Sequence, residues 1–386
     1  MTAAIVGIGA TEFSKDSGRS ELRLAGEAVL AALADAGLEP SDVDGLVSFT
    51  MDGSSEIALA RELGIPELTF FSRIHYGGGA AAATVQQAAM AVATGAARVA
   101  VAYRAFNERS GHRFGQVSSA AAEQVNSSGV DNSFHYPMGL ATPAATVAMV
   151  ARRYLHDYGA TSEDFGRIAV IDRKHAATNP HAWFHGKPIT LAEHQASRWI
   201  AEPLHLLDCC QESDGGVALV VTDIERARDL RHIPATIAAA AQGSGSDQYI
   251  MTSYYRDDLA SLPEMGVVGR QLWSRSGLGP ADVDVAVLYD HFTPYVLMQL
   301  EELGFCGRGE AKDFIAGGTL ELDGELPLNP HGGQLGEAYI HGMNGIAEAV
   351  RQLRGAAVNQ VVDAEHVLVT AGTGVPTSGL VLSRDG

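Results

Sequence analysis

Groups able to move protons are concentrated in two short stretches of this 386-residue chain. Residues 329–345 read NPHGGQLGEAYIHGMNG and gather His331, Tyr339 and His341 in one glycine-rich segment. Residues 289–292 read YDHF. Tyr289 closes an apolar run there, and His291, two residues on, shares its face of a strand. Phenol and imidazole side chains are general acids and bases. Asp290 could hold a tyrosine or histidine in place, or cap a helix beginning near Thr293. The three cysteines, Cys209, Cys210 and Cys306, all lie outside these stretches. Adjacent Cys209 and Cys210 make a poor chelating pair, so no metal site is expected.

The elements that must position these groups come in a repeated pattern. Residues 36–50 read AGLEPSDVDGLVSFT and residues 276–290 read SGLGPADVDVAVLYD, sharing Gly, Leu, Pro, Asp-Val-Asp and a later Val in register. Each copy reads as a helix ending at a glycine cap, a Pro turn and a strand. A repeated helix–turn–strand unit predicts a duplicated α/β architecture. The halves divide as residues 1–224 and 225–386, and a charged stretch near 222–234 joins them. Half one carries an insertion of about residues 107–206 with no counterpart in half two. It should hold helices over 143–158 and 162–177 and a polar loop over 178–189, lying over one face where substrate loops sit.

Composition narrows the function. Lys and Arg number 27 against 46 Asp and Glu, a formal charge of −19 with no basic stripe, which argues against nucleic acid and anionic membrane as partners. No run is long and apolar enough for a transmembrane helix, so a cytoplasmic protein without a membrane partner is expected. Gly7-Ile8-Gly9 lacks the third glycine of a dinucleotide fingerprint, which removes that cofactor reading.

Several segments together resemble the thiolase superfamily in its sterol-carrier branch: AIVGIGATEF (4–13), ARRYLHDYG (151–159), PLHLLDCCQESDGG (203–216), YDHFTPYVLMQLEELGFCGRGE (289–310), the NPHGG frame and AGTGVPTSG (371–379). The resemblance runs nearly end to end and implies a duplicated thiolase fold. That fold has two βαβαβαββ-type halves layered α-β-α-β-α, with the insertion in the first half. The departures matter more for chemistry. The region where thiolases carry the acyl-accepting cysteine reads RIHYGGGA (73–80), and residues 370–374 also lack cysteine. The two histidines of the family's HDCF-like and GHP-type elements are replaced by Tyr289 and Tyr339.

Without a thiolate there is no acyl-enzyme, and hydroxyls lacking a matched base are weak nucleophiles. The pattern is similar to the steroid side-chain-cleaving aldolases of this superfamily. It implies retro-aldol cleavage of a β-hydroxyacyl-CoA, a 17-hydroxy steroid with a short CoA-thioester side chain, to a 17-ketosteroid and propionyl-CoA. Tyr289 and Tyr339 would be the catalytic proton carriers, their phenols drawn below the usual value of ~10 by neighbouring groups. His291, Asp290, His341 and His331 would support them. Backbone amides at Gly77, Gly78, Gly372 and Gly374 would receive the enolate oxygen. The chain would need no cofactor of its own, the CoA arriving with the substrate and any zinc sitting in a partner. The resemblance implies a homodimer at the core, paired through half one, in complex with an OB-fold/zinc-ribbon protein that helps hold CoA. Two rival readings are a non-catalytic module that binds lipid or acyl-CoA, and acyl transfer through a residue such as Ser72.

Overall fold

The computed structural model describes residues 3–75, 77–111, 113, 133–248, 254–372 and 377–384. Half one runs β1 (Ala3–Ala10), α1 (Glu21–Ala36), β2 (Gly45–Phe49), α2 (Glu56–Leu63), β3 (Phe70–Ile74), α3 (Ala81–Ala93) and β4 (Val99–Asn107). The insertion follows with α4 (Pro143–Tyr158), α5 (Ser162–Thr178), α6 (Leu191–Ala196) and a hairpin of β5 (Trp199–Ala201) and β6 (Leu204–His205). β7 (Asp214–Asp223) closes the half. Half two holds β8 (Ala235–Gly243), α7 (Pro263–Ser276), β9 (Val285–Val287), α8 (Thr293–Glu302), α9 (Met343–Arg354), β10 (His366–Ala371) and β11 (Thr377–Arg384).

The repeat seen in the sequence is a repeat in space. α1 and α7 both end on a left-handed glycine, Gly37 and Gly277, each with φ 74°. A short 3-10 turn follows each, Pro40–Asp42 and Pro280–Asp282, and leads into β2 or β9. Among the described residues the strands form one mixed sheet in the order β3-β2-β4-β7-β1-β8-β11-β10-β9. Read outward from its middle, half one goes β1-β7-β4-β2 and half two β8-β11-β10-β9, each pairing antiparallel, antiparallel, then parallel. Among its described residues half two has no full counterpart of β3, and a parallel bridge between Ala286 and Leu328 stands in its place. The half-sheets meet only where Ala4 and Ile5 pair with Thr236 and Ala235.

α3 decides the layering. Its sequence, AAATVQQAAMAVA, is apolar nearly all round, which suits a helix buried on every side. It touches β2, β4 and β7 of half one and β8, β10 and β11 of half two, and α9 likewise meets strands of both halves. α1 and α7 each cover strands of their own half. The expected α-β-α-β-α layering results, with α3 and α9 in the shared middle layer.

Several elements carry little signal in the sequence. β8 reads ATIAAAAQG, poor in the β-branched residues that signal strands, yet it pairs along its length with β11. Tertiary context overrides propensity there. α8 begins at Thr293, where the sequence places its start. The insertion adds α6 and the β5–β6 hairpin to the two expected helices, and it packs on half two. Val147, Tyr154, Phe165 and Ile168 share one buried cluster with Met265, Leu288, Tyr295 and Leu300.

Close helix–strand packing depends on glycine in β1. A Cβ on Gly9 would lie 2.3 Å from both the carbonyl oxygen of Ala28 and the amide nitrogen of Ala32 in α1. Gly9→Ala is expected to cost about 1–3 kcal/mol through overpacking, measured as a lowered thermal or denaturant midpoint. An unchanged midpoint would mean that α1 yields without strain.

Candidate active site

Tyr289 lies two residues past the end of β9, and its backbone is clamped on both sides. Its N–H donates to Thr370 Oγ1 of β10 at 2.9 Å, and its carbonyl accepts from Gln299 Nε2 of α8, also at 2.9 Å. Thr370 Oγ1 donates in turn to Gln299 Oε1 at 2.6 Å, which closes the clamp. Tyr339 sits in the segment before α9, where its N–H donates to Ser213 Oγ at 3.1 Å. The two phenol oxygens are 3.0 Å apart, with Tyr289 as donor. Tyr289 is 2% exposed, whereas Tyr339 is only half-buried and forms the accessible end of the pair.

The glycine loops converge on this pair. A Cβ on Gly78 would lie 1.8 Å from the Tyr289 hydroxyl, and one on Gly342 would lie 3.1 Å from its ring. Gly372, with φ 66°, packs its Cα against Gly79, where a Cβ would come within 2.3 Å. Gly77 faces the His341 imidazole, with Cε1 and Nε2 each 3.6 Å from where its Cβ would be. Gly77, Gly78 and Gly372 therefore lie together against the phenols and the His341 ring. Gly374 lies outside the described residues.

His291 and His341 complete the cluster. The His291 ring centroid is 4.7 Å from that of Tyr289, and the His341 centroid is 5.1 Å from that of Tyr339. His341 occupies left-handed backbone, φ 51°. Burial lowers both imidazoles, His291 to about 3 and His341 well below its usual value with Arg104 adding to the effect. Both are neutral at pH 7.

Three expectations need correction. The phenols are not drawn down: burial drives both well above 10, and nearby carboxyl and thiol groups reinforce this for each. Their resting form is the neutral phenol. Asp290 neither holds a tyrosine nor caps α8. Its carboxylate accepts from the amides of Gln334 (2.8 Å) and Leu335 (3.0 Å), fixing the turn Gly333–Gly336. It also shares a buried hydrogen bond with Asp172 of α5. Burial raises both carboxyls, Asp290 to about 6, so the pair retains a proton. His331 lines a separate cavity of about 120 Å³ with Asn179, Glu348 and Arg351, and neither phenol lines it. Burial lowers His331 to about 3, with Arg351 adding to the shift.

Several residues here carried no motif signal. Glu108, at the end of β4, is 3% exposed, and burial with Glu212 nearby pushes it up to about 9. It therefore stays a neutral acid. Its carboxyl accepts from the backbone of Ser213, whose hydroxyl holds Tyr339. Lys15, lowered to about 8 by burial, donates to Gln211 Oε1 at 2.8 Å. Arg104 is the one member with a visible signal, a cation within the apolar strand VAVAYRAFN. The insertion contributes as well: Asn179 Nδ2 donates to the His331 carbonyl (3.0 Å) and to Glu337 Oε1 (3.1 Å), bracing the segment before Tyr339. Burial pushes all three cysteine thiols up, Cys306 to about 12, so none supplies a thiolate. Among the described residues no group of three His, Cys, Asp or Glu side chains could hold a metal ion.

Comparison with known proteins agrees with this architecture. The chain matches the family "Thiolase, N-terminal domain" over residues 3–223 and "Thiolase C-terminal domain-like" over residues 243–383. It is 74% identical over 380 residues to the 17-hydroxy-3-oxo-4-pregnene-20-carboxyl-CoA lyase of Mycobacterium tuberculosis, covering 98% of each chain. It is 70% identical over 383 residues to the steroid side-chain-cleaving aldolase of Thermomonospora curvata, covering 99% of this chain and 98% of that one. The solved structure of an Ltp2-ChsH2(DUF35) aldolase superposes with a TM-score of 0.94 at 70% identity, over 100% of this chain and 98% of that chain.

Two outcomes test the site's construction. Gly78→Ala should displace the Tyr289 ring and abolish turnover, lowering the midpoint by overpacking as at Gly9 while the far-UV spectrum changes little. Full activity would show that the phenol has room to spare. His331 has a lowered folded pKa, so its contribution to stability is present above its unfolded value of ~6.5 and lost as pH falls toward 3. The midpoint of His331→Gln relative to wild type should therefore rise as pH drops across that window. A pH-independent difference would contradict a buried neutral His331.

Proposed function

The chain belongs to the thiolase superfamily, and from that premise we propose that it is a carbon–carbon lyase performing retro-aldol cleavage of a steroid CoA thioester. The substrate is a 17-hydroxy steroid with a short CoA-thioester side chain, and the products are a 17-ketosteroid and propionyl-CoA. The observation that carries this reading is the phenol pair, 3.0 Å apart, standing where a thiolase keeps histidines, with no cysteine in the 73–80 and 370–374 segments where thiolases carry theirs.

Retro-aldol cleavage needs no net proton. The hydroxyl hydrogen leaves oxygen as the ketone forms, and one hydrogen is added to the α-carbon of the released thioester. Two hydrogen-bonded phenols suit this exchange, because one can give its proton as the other receives one. Tyr339, the accessible member, takes the substrate hydroxyl proton while passing its own to Tyr289, whose proton goes in turn to the α-carbon, so both phenols end neutral. A persistent phenolate is costly at this depth, so transfer is coupled to bond cleavage. The glycine loops let the thioester approach closely, and their backbone amides are candidate donors to the enolate oxygen.

An acyl-enzyme route is disfavoured by the raised thiols and by Ser72, which lies within β3 paired to Val47. A purely binding role leaves the phenol pair without a purpose.

The chain in this reading works without a cofactor of its own and with a partner protein, as the solved aldolase complex supports. The finer assignment is an OB-fold/zinc-ribbon partner that helps hold CoA, with any zinc in that subunit. A homodimer through half one is supported by the edge strand β3, where Phe71 is 58% exposed. No helix of the described residues is long and apolar enough to cross a membrane, and a cytoplasmic location fits the reaction.

Tyr289→Phe and Tyr339→Phe each remove one hydroxyl with little change in volume. Both should lower kcat by ~10²–10⁴-fold, the range of a lost general acid or base, with ketone release followed by chromatography. Near-wild-type rates in both variants would sink the mechanism.

A further inference from the structure

Arg104 and Asp52 form an ion pair whose side chains are fully buried, with Nη1 3.2 Å from Oδ2. Dehydrating two charges costs several kcal/mol, and such a pair is weak evidence for stability. Its surroundings indicate another use. Asp52 is saturated: Oδ2 also accepts from the Ala105 amide at 3.1 Å, and Oδ1 accepts from the Ser54 amide (2.9 Å) and hydroxyl (2.6 Å). The guanidinium is sandwiched over Phe106 (4.2 Å) and Phe49 (5.4 Å), so its orientation is fixed. From that position Arg104 Nε donates to His341 Nδ1 at 3.2 Å. The same two rings flank the imidazole, at 4.9 Å and 6.0 Å between centroids.

A guanidinium can only donate. Nδ1 must then carry a lone pair, and in a neutral ring the proton is confined to Nε2. That nitrogen faces Gly77, one residue from the Gly78 turn against which the Tyr289 hydroxyl rests. We propose that the buried Arg104–Asp52 pair is a positioning device that locks His341 in its neutral Nε2–H form, making His341 the donor to the thioester enolate oxygen. The proposal rests on the lyase reading for its catalytic half.

A neutral imidazole is a suitable electrophile here. It stabilises developing negative charge without being acidic enough to protonate the enolate on oxygen, which would leave the α-carbon unprotonated. Among the described residues, the charged and titratable groups around the ring include Arg104 from β4, Asp52 from the loop after β2, Tyr339 from its own loop and His291 from the loop after β9. Arg104, donating to Nδ1, disfavours the imidazolium.

The lock can be read directly. In protein labelled with ¹⁵N-histidine, with His341 assigned by its loss in His341→Gln, long-range ¹H–¹⁵N correlation should show a bare Nδ1 and a protonated Nε2, unchanged from pH 8 to pH 5.5. An Nδ1–H tautomer, or titration in that window, overturns the lock. The double variant Asp52→Asn/Arg104→Gln removes both charges without stranding either, and it should restore ordinary tautomer exchange. If it fails to fold, the wild-type spectrum still decides.

For the donor role, His341→Leu should lower kcat by ~10²–10³-fold, as loss of an oxyanion donor does, with KM little changed. His341→Gln, which keeps an N–H near the Nε2 position, should recover at least tenfold over His341→Leu. Equal rates in the two variants, or wild-type kcat in His341→Leu, overturn the donor role. A wild-type chain unable to cleave any β-hydroxyacyl-CoA would overturn the lyase reading instead, and the spectrum would judge the lock independently.

Discussion

The hydrogen bond between the Tyr289 and Tyr339 phenols is the constraint on which the rest of the site depends. Its 3.0 Å length is set by backbone anchors on separate elements: Thr370 and Gln299 fix Tyr289, and Ser213 fixes Tyr339. The bond also requires an absence, since any side chain at Gly78 would occupy the space of the Tyr289 hydroxyl. β9, β10, α8 and the loop before β7 all contribute, so displacement of any one opens the pair.

Burial holds this region close to electrical neutrality. The phenols and Glu108 are pushed up, and His291 and His341 are pushed down, each chiefly because a low-dielectric surrounding disfavours its charged form. Thiolases exploit a thiolate, whereas this site keeps its acids protonated and its imidazoles bare. That environment suits a reaction that shuffles one proton internally and creates no covalent intermediate. The exceptions are Lys15, still charged below about 8, and Arg104, whose charge is matched by Asp52 and directed onto His341.

The insertion is part of the construction. Its helices α4 and α5 pack on half two, and Asn179 beyond them braces the Tyr339 segment through Glu337 and the His331 carbonyl. A chain segment belonging to half one in sequence thereby shapes the catalytic loop of half two. Asp172 of α5 and Asp290 beside Tyr289 join the same two regions through a shared proton.

Much was legible in the linear sequence, because it is carried by local rules. The helix–glycine–proline–strand repeat marked the duplication, which reappears as matched caps at Gly37 and Gly277 and as mirrored pairing on either side of β1 and β8. The NPHGG frame, the two tyrosines and the missing cysteines named the scaffold and its changed chemistry. Distances and dielectric were not legible, because both depend on residues remote in the chain. Tyr289 and Tyr339 are 50 positions apart, Arg104 and His341 237 apart. No spacing rule says that Glu108 and Arg104 enter the site or that His331 leaves it. Nor does sequence order reveal how deeply a phenol is buried, which is why the expected lowering of both tyrosines turned into a rise. Residue types determined which chemistry was available to this protein. Only the tertiary structure, by excluding water and fixing contacts across the two halves, decided the protonation states in which that chemistry begins.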